Sequence, residues 1–227
     1  PNGERIATGS ADDTLRLWDA KTGQLLMTLE AGNDYDVTAV RFSPDGKRIV
    51  MESVDPRSAN SDLMLFDLAR SMFEWVTRSD APDVTPSWSP DGREIAFSSK
   101  RASRYETYTK AIGEPTPDRL RPGPEGDRYV EHWTVDGALV QTVMRNGLWR
   151  APLAEGSTPT LIRETDRAER LLAEVSPDGR SIAYTSFEFG PPEVYVEPVA
   201  RSGARNRYKV STQGGAEPHW RQDGLEL

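Results

Sequence analysis

Apolar residues in this chain come in short runs of about four to six, each separated from the next by polar turn residues. One turn recurs: an aromatic or β-branched residue, then Ser-Pro-Asp-Gly, then a new apolar run. It stands at Phe42-Ser43-Pro44-Asp45-Gly46, Trp88-Ser89-Pro90-Asp91-Gly92 and Val175-Ser176-Pro177-Asp178-Gly179. Altered copies occupy Trp133-Thr134-Val135-Asp136-Gly137 and Trp220-Arg221-Gln222-Asp223-Gly224, and the chain opens on Pro1-Asn2-Gly3. The turn glycines Gly3, Gly46, Gly92, Gly137, Gly179 and Gly224 are 43, 46, 45, 42 and 45 residues apart. That spacing is the period of a four-stranded propeller blade.

Within each period the order of runs repeats. Arg5-Ile6-Ala7-Thr8, Arg48-Ile49-Val50-Met51, Glu94-Ile95-Ala96-Phe97, Ala138-Leu139-Val140-Gln141 and Ser181-Ile182-Ala183-Tyr184 follow the turns. A second run includes Leu15-Arg16-Leu17-Trp18-Asp19 and Leu63-Met64-Leu65-Phe66-Asp67, and a weaker outer run includes Leu25-Leu26-Met27-Thr28-Leu29. The short length and β-branched and aromatic enrichment of these runs predict strands rather than helices. Residues 163–173 are charged enough to suggest a helical turn, but their place in the repeat makes them a connection. Residues 115–126 hold four prolines and two glycines and predict a loop or a weak edge. The expected fold is all-β, a β-propeller of four-stranded antiparallel blades forming one domain over residues 1–227. Five blades are expected: 1–30 with 215–227, then 36–80, 83–122, 127–165 and 169–212. In this scheme the closing strand Glu217-Pro218-His219-Trp220 completes the first blade, which removes an exposed sheet edge. The rival arrangement is a fragment of a larger ring, with Leu225-Glu226-Leu227 starting a further blade.

Composition narrows the chemistry. The chain has 227 residues, no cysteine and a formal net charge of −8 at pH 7. Thiolate metal sites, disulfides and cysteine nucleophiles are therefore excluded. The acidic balance argues against a sequence-independent nucleic-acid partner, which needs a basic face. No apolar run approaches the roughly 18 residues that span a bilayer, so membrane insertion by this segment is not expected. The start on Pro1 reads as that of an excised segment, and the preference for arginine over lysine points to a GC-rich bacterial genome.

Two related repeat families are matched by these residues. Residues 3–50 resemble a WD repeat through Gly9-Ser10, Asp12-Asp13, Leu15-Arg16-Leu17-Trp18-Asp19 and Val40-Arg41-Phe42-Ser43-Pro44-Asp45-Gly46. The likeness departs at Ala31-Gly32-Asn33-Asp34, where a WD repeat carries a Gly-His pair, so its His–Asp–Ser–Trp hydrogen-bond chain is incomplete here. From Pro86 onward the units resemble TolB-type, WD-like propeller repeats. The carrying stretches are Pro86-Ser87-Trp88-Ser89-Pro90-Asp91-Gly92, Ser176 to Ser186, and Glu193-Val194-Tyr195-Val196 through Trp220. They are similar to propellers attached to bacterial membrane-anchored Ser/Thr protein kinases and winged-helix regulators. The resemblance implies a propeller and a noncatalytic sensory or scaffolding role within a larger bacterial protein, in the cytoplasm or outside it. It does not name a ligand, because one fold hosts many functions.

The candidate binding position lies just before the inner-strand aromatic: Arg41, Ser87, His132, Glu174 and His219. Alignment by repeat makes these five equivalent and places them near a central channel, where converging polar groups can take a peptide, protein or small ligand. The same residues serve equally as hydrogen-bond partners between blades. Both histidines of the chain fall in this set, yet a zinc site needs three or four converging ligands, and no metal or cofactor is expected. The Asp-Gly turns lack EF-hand spacing and are read as structural. No G-x-S-x-G elbow, phosphate loop or complete sialidase Asp-box occurs. A glycosidase- or lactonase-type enzyme would need channel carboxylates, for which Glu131, Glu174 and Glu217 are the candidates. A third alternative is the propeller gate of a serine peptidase. Recurring Trp18, Trp88, Trp133, Trp149 and Trp220 read as blade packing, whereas Trp75 beside Phe73 is placed to be exposed. The arginine loops at residues 101–104 and 201–207 read as solvated.

Overall fold

The computed structural model describes residues 2–31, 35–199, 207–221 and 223–227. Nineteen strands, and no helix, occur among the described residues. They form five antiparallel sheets of consecutive strands, the blades of a β-propeller. The chain divides into two compact units, Pro1–Leu120 and Arg121–Leu227. The first unit holds three sheets. One is β1 (Arg5–Gly9), β2 (Thr14–Asp19) and β3 (Leu25–Glu30). The next is β4 (Asp36–Phe42), β5 (Arg48–Val54), β6 (Ser61–Asp67) and β7 (Met72–Trp75). The third is β8 (Asp83–Trp88), β9 (Glu94–Ser99), β10 (Glu106–Ala111) and β11 (Arg119–Leu120). The second unit holds β12 (Arg128–Trp133), β13 (Ala138–Val143), β14 (Gly147–Pro152) and β15 (Thr160–Arg163) in one sheet. Its other sheet is β16 (Glu174–Val175), β17 (Ser181–Ser186), β18 (Glu193–Pro198) and β19 (Tyr208–Lys209). Residues 164–173 contain no helix, and the proline-rich stretch contributes only the two-residue edge β11, as the pattern predicts.

The recurring turn builds the hairpin between the first two strands of a blade by local hydrogen bonds. In the first full copy Ser43 N donates to Arg48 O at 2.8 Å and Gly46 N to Ser43 O at 2.9 Å. The Ser43 hydroxyl donates to Asp45 at 2.6 Å and accepts from Arg48 N at 3.0 Å. Ser89 and Ser176 repeat this arrangement with Asp91 and Asp178, and Thr134 substitutes for serine beside Asp136. Glycine is required because the fourth turn residue has positive φ, 67° at both Gly46 and Gly92 and 74° at Gly179.

Apolar residues fill the spaces between neighbouring sheets within each unit. Strand β5 shows how: Ile49 and Met51 pack with Leu15, Leu17 and Phe66, while Val50, pointing the other way, packs with Trp88, Ile95 and Phe97. A strand covered on both faces needs apolar residues at successive positions, which is why β5 reads as a continuous run. In the second unit Val140, Leu148, Ile162, Leu171, Ile182, Tyr184 and Tyr195 form one cluster.

The first sheet is the smallest. It has three strands among the described residues, and Glu217–Trp220 carries no strand assignment. That closing segment is hydrogen-bonded to the last sheet: Glu217 N donates to Thr185 Oγ1 at 3.0 Å and the Trp220 indole to Glu174 O at 3.1 Å. Beyond it, Arg221 N donates to Glu226 O at 2.9 Å and Gly224 N to Arg221 O at 2.8 Å, the backbone pattern of the other turns.

Candidate functional site

The five repeat-equivalent positions rest on a constant frame. Arg41 pairs with Val50, Ser87 with Ala96, His132 with Val140 and Glu174 with Ala183, in each case the third residue of the following strand. At two of these positions a later tryptophan donates its indole N–H to the backbone carbonyl. Trp88 does so to Arg41 O at 3.2 Å, and Trp220 to Glu174 O at 3.1 Å. The backbone thus carries the structural hydrogen bond, and the side chain is released from that duty.

What the side chains do varies. Arg41 is exposed, with Nη1 donating to Val40 O at 3.0 Å. Ser87 is buried and His132 half-buried, next to a bulge between Val130 and His132. Glu174 and His219 come together: the imidazole Nδ1 lies 2.8 Å from the Glu174 carboxylate, with the histidine side chain 56% and the glutamate 24% exposed. Arg41 and Ser87 lie in the first unit and His132, Glu174 and His219 in the second. Among the described residues, no group of three or more His, Asp or Glu is arranged to hold a metal ion.

The carboxylates considered for catalysis are differently engaged. The Glu131 side chain is 3% exposed and accepts from Arg170 at 3.1 Å, Glu174 is paired with His219, and Glu217 is exposed. A glycosidase needs one carboxyl able to protonate a leaving group and a second facing the same substrate. Glu131 is instead committed to Arg170 and Glu174 to His219. The enzyme readings are not favoured.

Several residues read from sequence as solvated or exposed are structural. Arg101 bridges Asp83, which is fully buried, at 3.1 Å and Asp118 at 2.6 Å, and its guanidinium lies 4.6 Å from the Tyr108 ring centre. Arg207 stacks 3.5 Å from the Tyr195 ring and pairs with Glu188 at 2.5 Å; the rest of its loop, 201–206, lies outside the described residues. Trp75 is half-buried, met edge-on by Tyr35 at 5.6 Å and covered by Arg78 at 4.8 Å. In the first blade the Trp18 indole donates to Thr8 Oγ1 at 2.9 Å, one link of a WD-type hydrogen-bond chain; residues 32–34, where the histidine would stand, lie outside the described residues.

The turn aspartates have a structural electrostatic signature. Hydrogen bonds from the Ser43, Ser89, Thr134 and Ser176 hydroxyls, first among several causes, hold Asp45, Asp91, Asp136 and Asp178 below the ordinary carboxylate range. Their oxygens are directed back into the hairpin rather than toward a ligand.

Residues 10–155, more than half of the chain, match the family described as TolB beta propeller domain. The chain belongs to the TolB β-propeller family. The TolB-like fold extends beyond that stretch. The crystal structure of TolB from Acinetobacter baumannii superposes with a TM-score of 0.73 at 20% identity, covering 95% of this chain and 55% of that one. A putative TolB from Agrobacterium tumefaciens gives a TM-score of 0.67 at 20% identity, covering 98% and 87%. Among curated proteins, Protein tipD of Dictyostelium discoideum is 30% identical over 99 residues, 43% of this chain and 16% of its own length. The nuclear distribution protein PAC1 of Mycosarcoma maydis is 48% identical over 48 residues, 21% of this chain and 10% of its own. The TolB-like chain thus spans less than a fifth of these curated relatives.

Proposed function

We propose that this propeller is a noncatalytic interaction module of a larger bacterial protein, binding a protein or peptide partner through the residues before the inner-strand aromatics. The observation that carries this reading is the division of labour at that position. Its backbone carbonyl takes the tryptophan hydrogen bond at Arg41 and Glu174, so its side chain varies without cost to the frame: Arg, Ser, His, Glu and His. A constant scaffold bearing variable polar groups is the arrangement of a recognition surface rather than of a single reaction centre. The partly exposed Glu174–His219 pair offers both an acceptor and a ring nitrogen to a partner.

The test begins by isolating proteins retained by the immobilised chain, purifying them and measuring their affinity by calorimetry. His132→Ala and His219→Ala should each weaken binding by about tenfold or more, as hot-spot truncation does. Unchanged affinity for every purified partner, with the fold intact by circular dichroism, overturns the role assigned to this position.

A further inference from the structure

The outer strands of the five sheets are not alike. Sheet edges are kept from pairing with other chains by being short, charged or bounded by proline. Strand β11 has two residues and β19 two, one of them Lys209; β7 has four, including Glu74; β15 has four, ends on Arg163 and follows Pro159. Strand β3, Leu25-Leu26-Met27-Thr28-Leu29-Glu30, has six residues, no proline, and one charge at its end. Leu25, Leu26 and Met27 are 49%, 51% and 38% exposed. It pairs only with β2, at the edge of its sheet.

The ladder fixes which groups point outward. Ala31 N donates to Asp13 O at 2.8 Å, and backbone groups alternate in direction along an antiparallel strand. Leu29 and Met27 therefore turn toward β2, while Thr28 and Glu30 present N–H and C=O to the outside. Leu26 is the extra residue of a bulge, because Leu17 faces Met27 and Trp18 faces Leu25. The bulge confines the regular outer ladder to Met27–Glu30 and leaves two leucines beside it in water.

We propose that β3 is a self-association edge, at which two copies of the chain pair β3 to β3, antiparallel, about a two-fold axis at Thr28. The occupant is a second copy because the strand is complementary to itself. The axis sets Thr28 against Thr28, a favourable cross-strand pair, and Met27 against Leu29. Leu25 and Leu26 of each copy then cover the end of the other strand, removing apolar surface from water. The antiparallel direction carries Glu30 away from its own copy and toward the partner's exposed turn at Lys21-Thr22-Gly23-Gln24, whereas a parallel register stacks Glu30 on Glu30. An isologous contact of this kind closes at a dimer. Its small area and the net charge of −8 on each copy make it a weak dimer, tightened by salt as long-range repulsion is screened.

Sedimentation velocity of the intact chain across the micromolar range, at physiological ionic strength, reads the equilibrium. A concentration-dependent dimer is expected. Thr28→Pro removes an outward N–H without touching a β2–β3 hydrogen bond, and should weaken the dimer by about tenfold or more. Leu26→Glu, which sets a carboxylate across from Glu30 of the other copy, should weaken it independently. Since the chain has no cysteine, Thr28→Cys should form a disulfide-linked dimer on mild oxidation, and Ser157→Cys, on an exposed loop away from β3, should not. A chain that stays monomeric at the highest concentration overturns the proposal. So does a dimer that persists in both the Thr28→Pro and the Leu26→Glu variants.

Discussion

Single side chains decide whether this frame tolerates charge in its interior. Asp83 is fully buried on β8 and pairs with Arg101, which it shares with Asp118. Taking a carboxylate out of water is costly, and that cost is offset only while the partner stays in place. Arg101→Met keeps an apolar stem of similar length and removes the guanidinium, with its contacts over the Phe97 and Tyr108 rings. It should destabilise the chain by about 3–5 kcal/mol in urea unfolding, most of it the penalty of an unpaired buried charge. The paired variant Arg101→Met with Asp83→Asn should recover a large part of that loss. A loss below about 1 kcal/mol in the single variant would show a pair worth no more than a surface one. Arg101 shows what periodicity hides. An arginine in a polar loop looks solvated in sequence, and only the fold brings in Asp83, eighteen positions earlier.

At the level of strands and turns, the sequence was most readable where the structure is made locally. The Ser-Pro-Asp-Gly hairpin satisfies its own donors within six residues, so its spacing carries the blade period without reference to anything distant. The Glu174–His219 pair is different: its members are 45 residues apart and meet only because the closing segment folds back against β16. Backbone crowding gives a test on one hairpin. Gly147 starts β14 with φ of 117°, and a Cβ there would lie 2.0 Å from Arg163 O on β15. Gly137 also has positive φ, 81°, yet nothing lies within 4 Å of its would-be Cβ. Gly137→Ala should therefore cost about 1 kcal/mol, the strain of a left-handed alanine. Gly147→Ala should cost on the order of 3 kcal/mol and loosen β15, seen as faster amide exchange at Leu161 and Ile162. Equal losses in the two variants would mean that φ alone matters and that the close approach of β15 relaxes freely.

Over the whole chain, one device repeated in four blades makes acid sensitivity a property of the architecture. Asp45, Asp91, Asp136 and Asp178 each have a folded-state pKa below the unfolded value of about 3.9. A carboxylate of this kind binds fewer protons folded than unfolded, so its contribution is fully present above that value and is lost as pH falls through the lower, folded one. Asp62 and Glu169 act in the opposite sense: burial raises both, and protonation relieves their cost as pH drops. Four equivalent turns outweigh these two, so the melting temperature should hold steady from pH 7 to about 5 and fall steeply below about 4. Replacing all four turn aspartates by asparagine keeps an acceptor oxygen for each hydroxyl but removes the titration. That variant should start with a lower melting temperature at neutral pH and show a flatter decline in acid, measured by calorimetry at a series of pH values. A decline as steep as that of the unaltered chain would assign acid unfolding elsewhere, to Asp12, Glu188 and Glu193, whose pKa values are also held down. The turn that marks the repeat in the sequence would then be a geometric element only, with its charge incidental to stability.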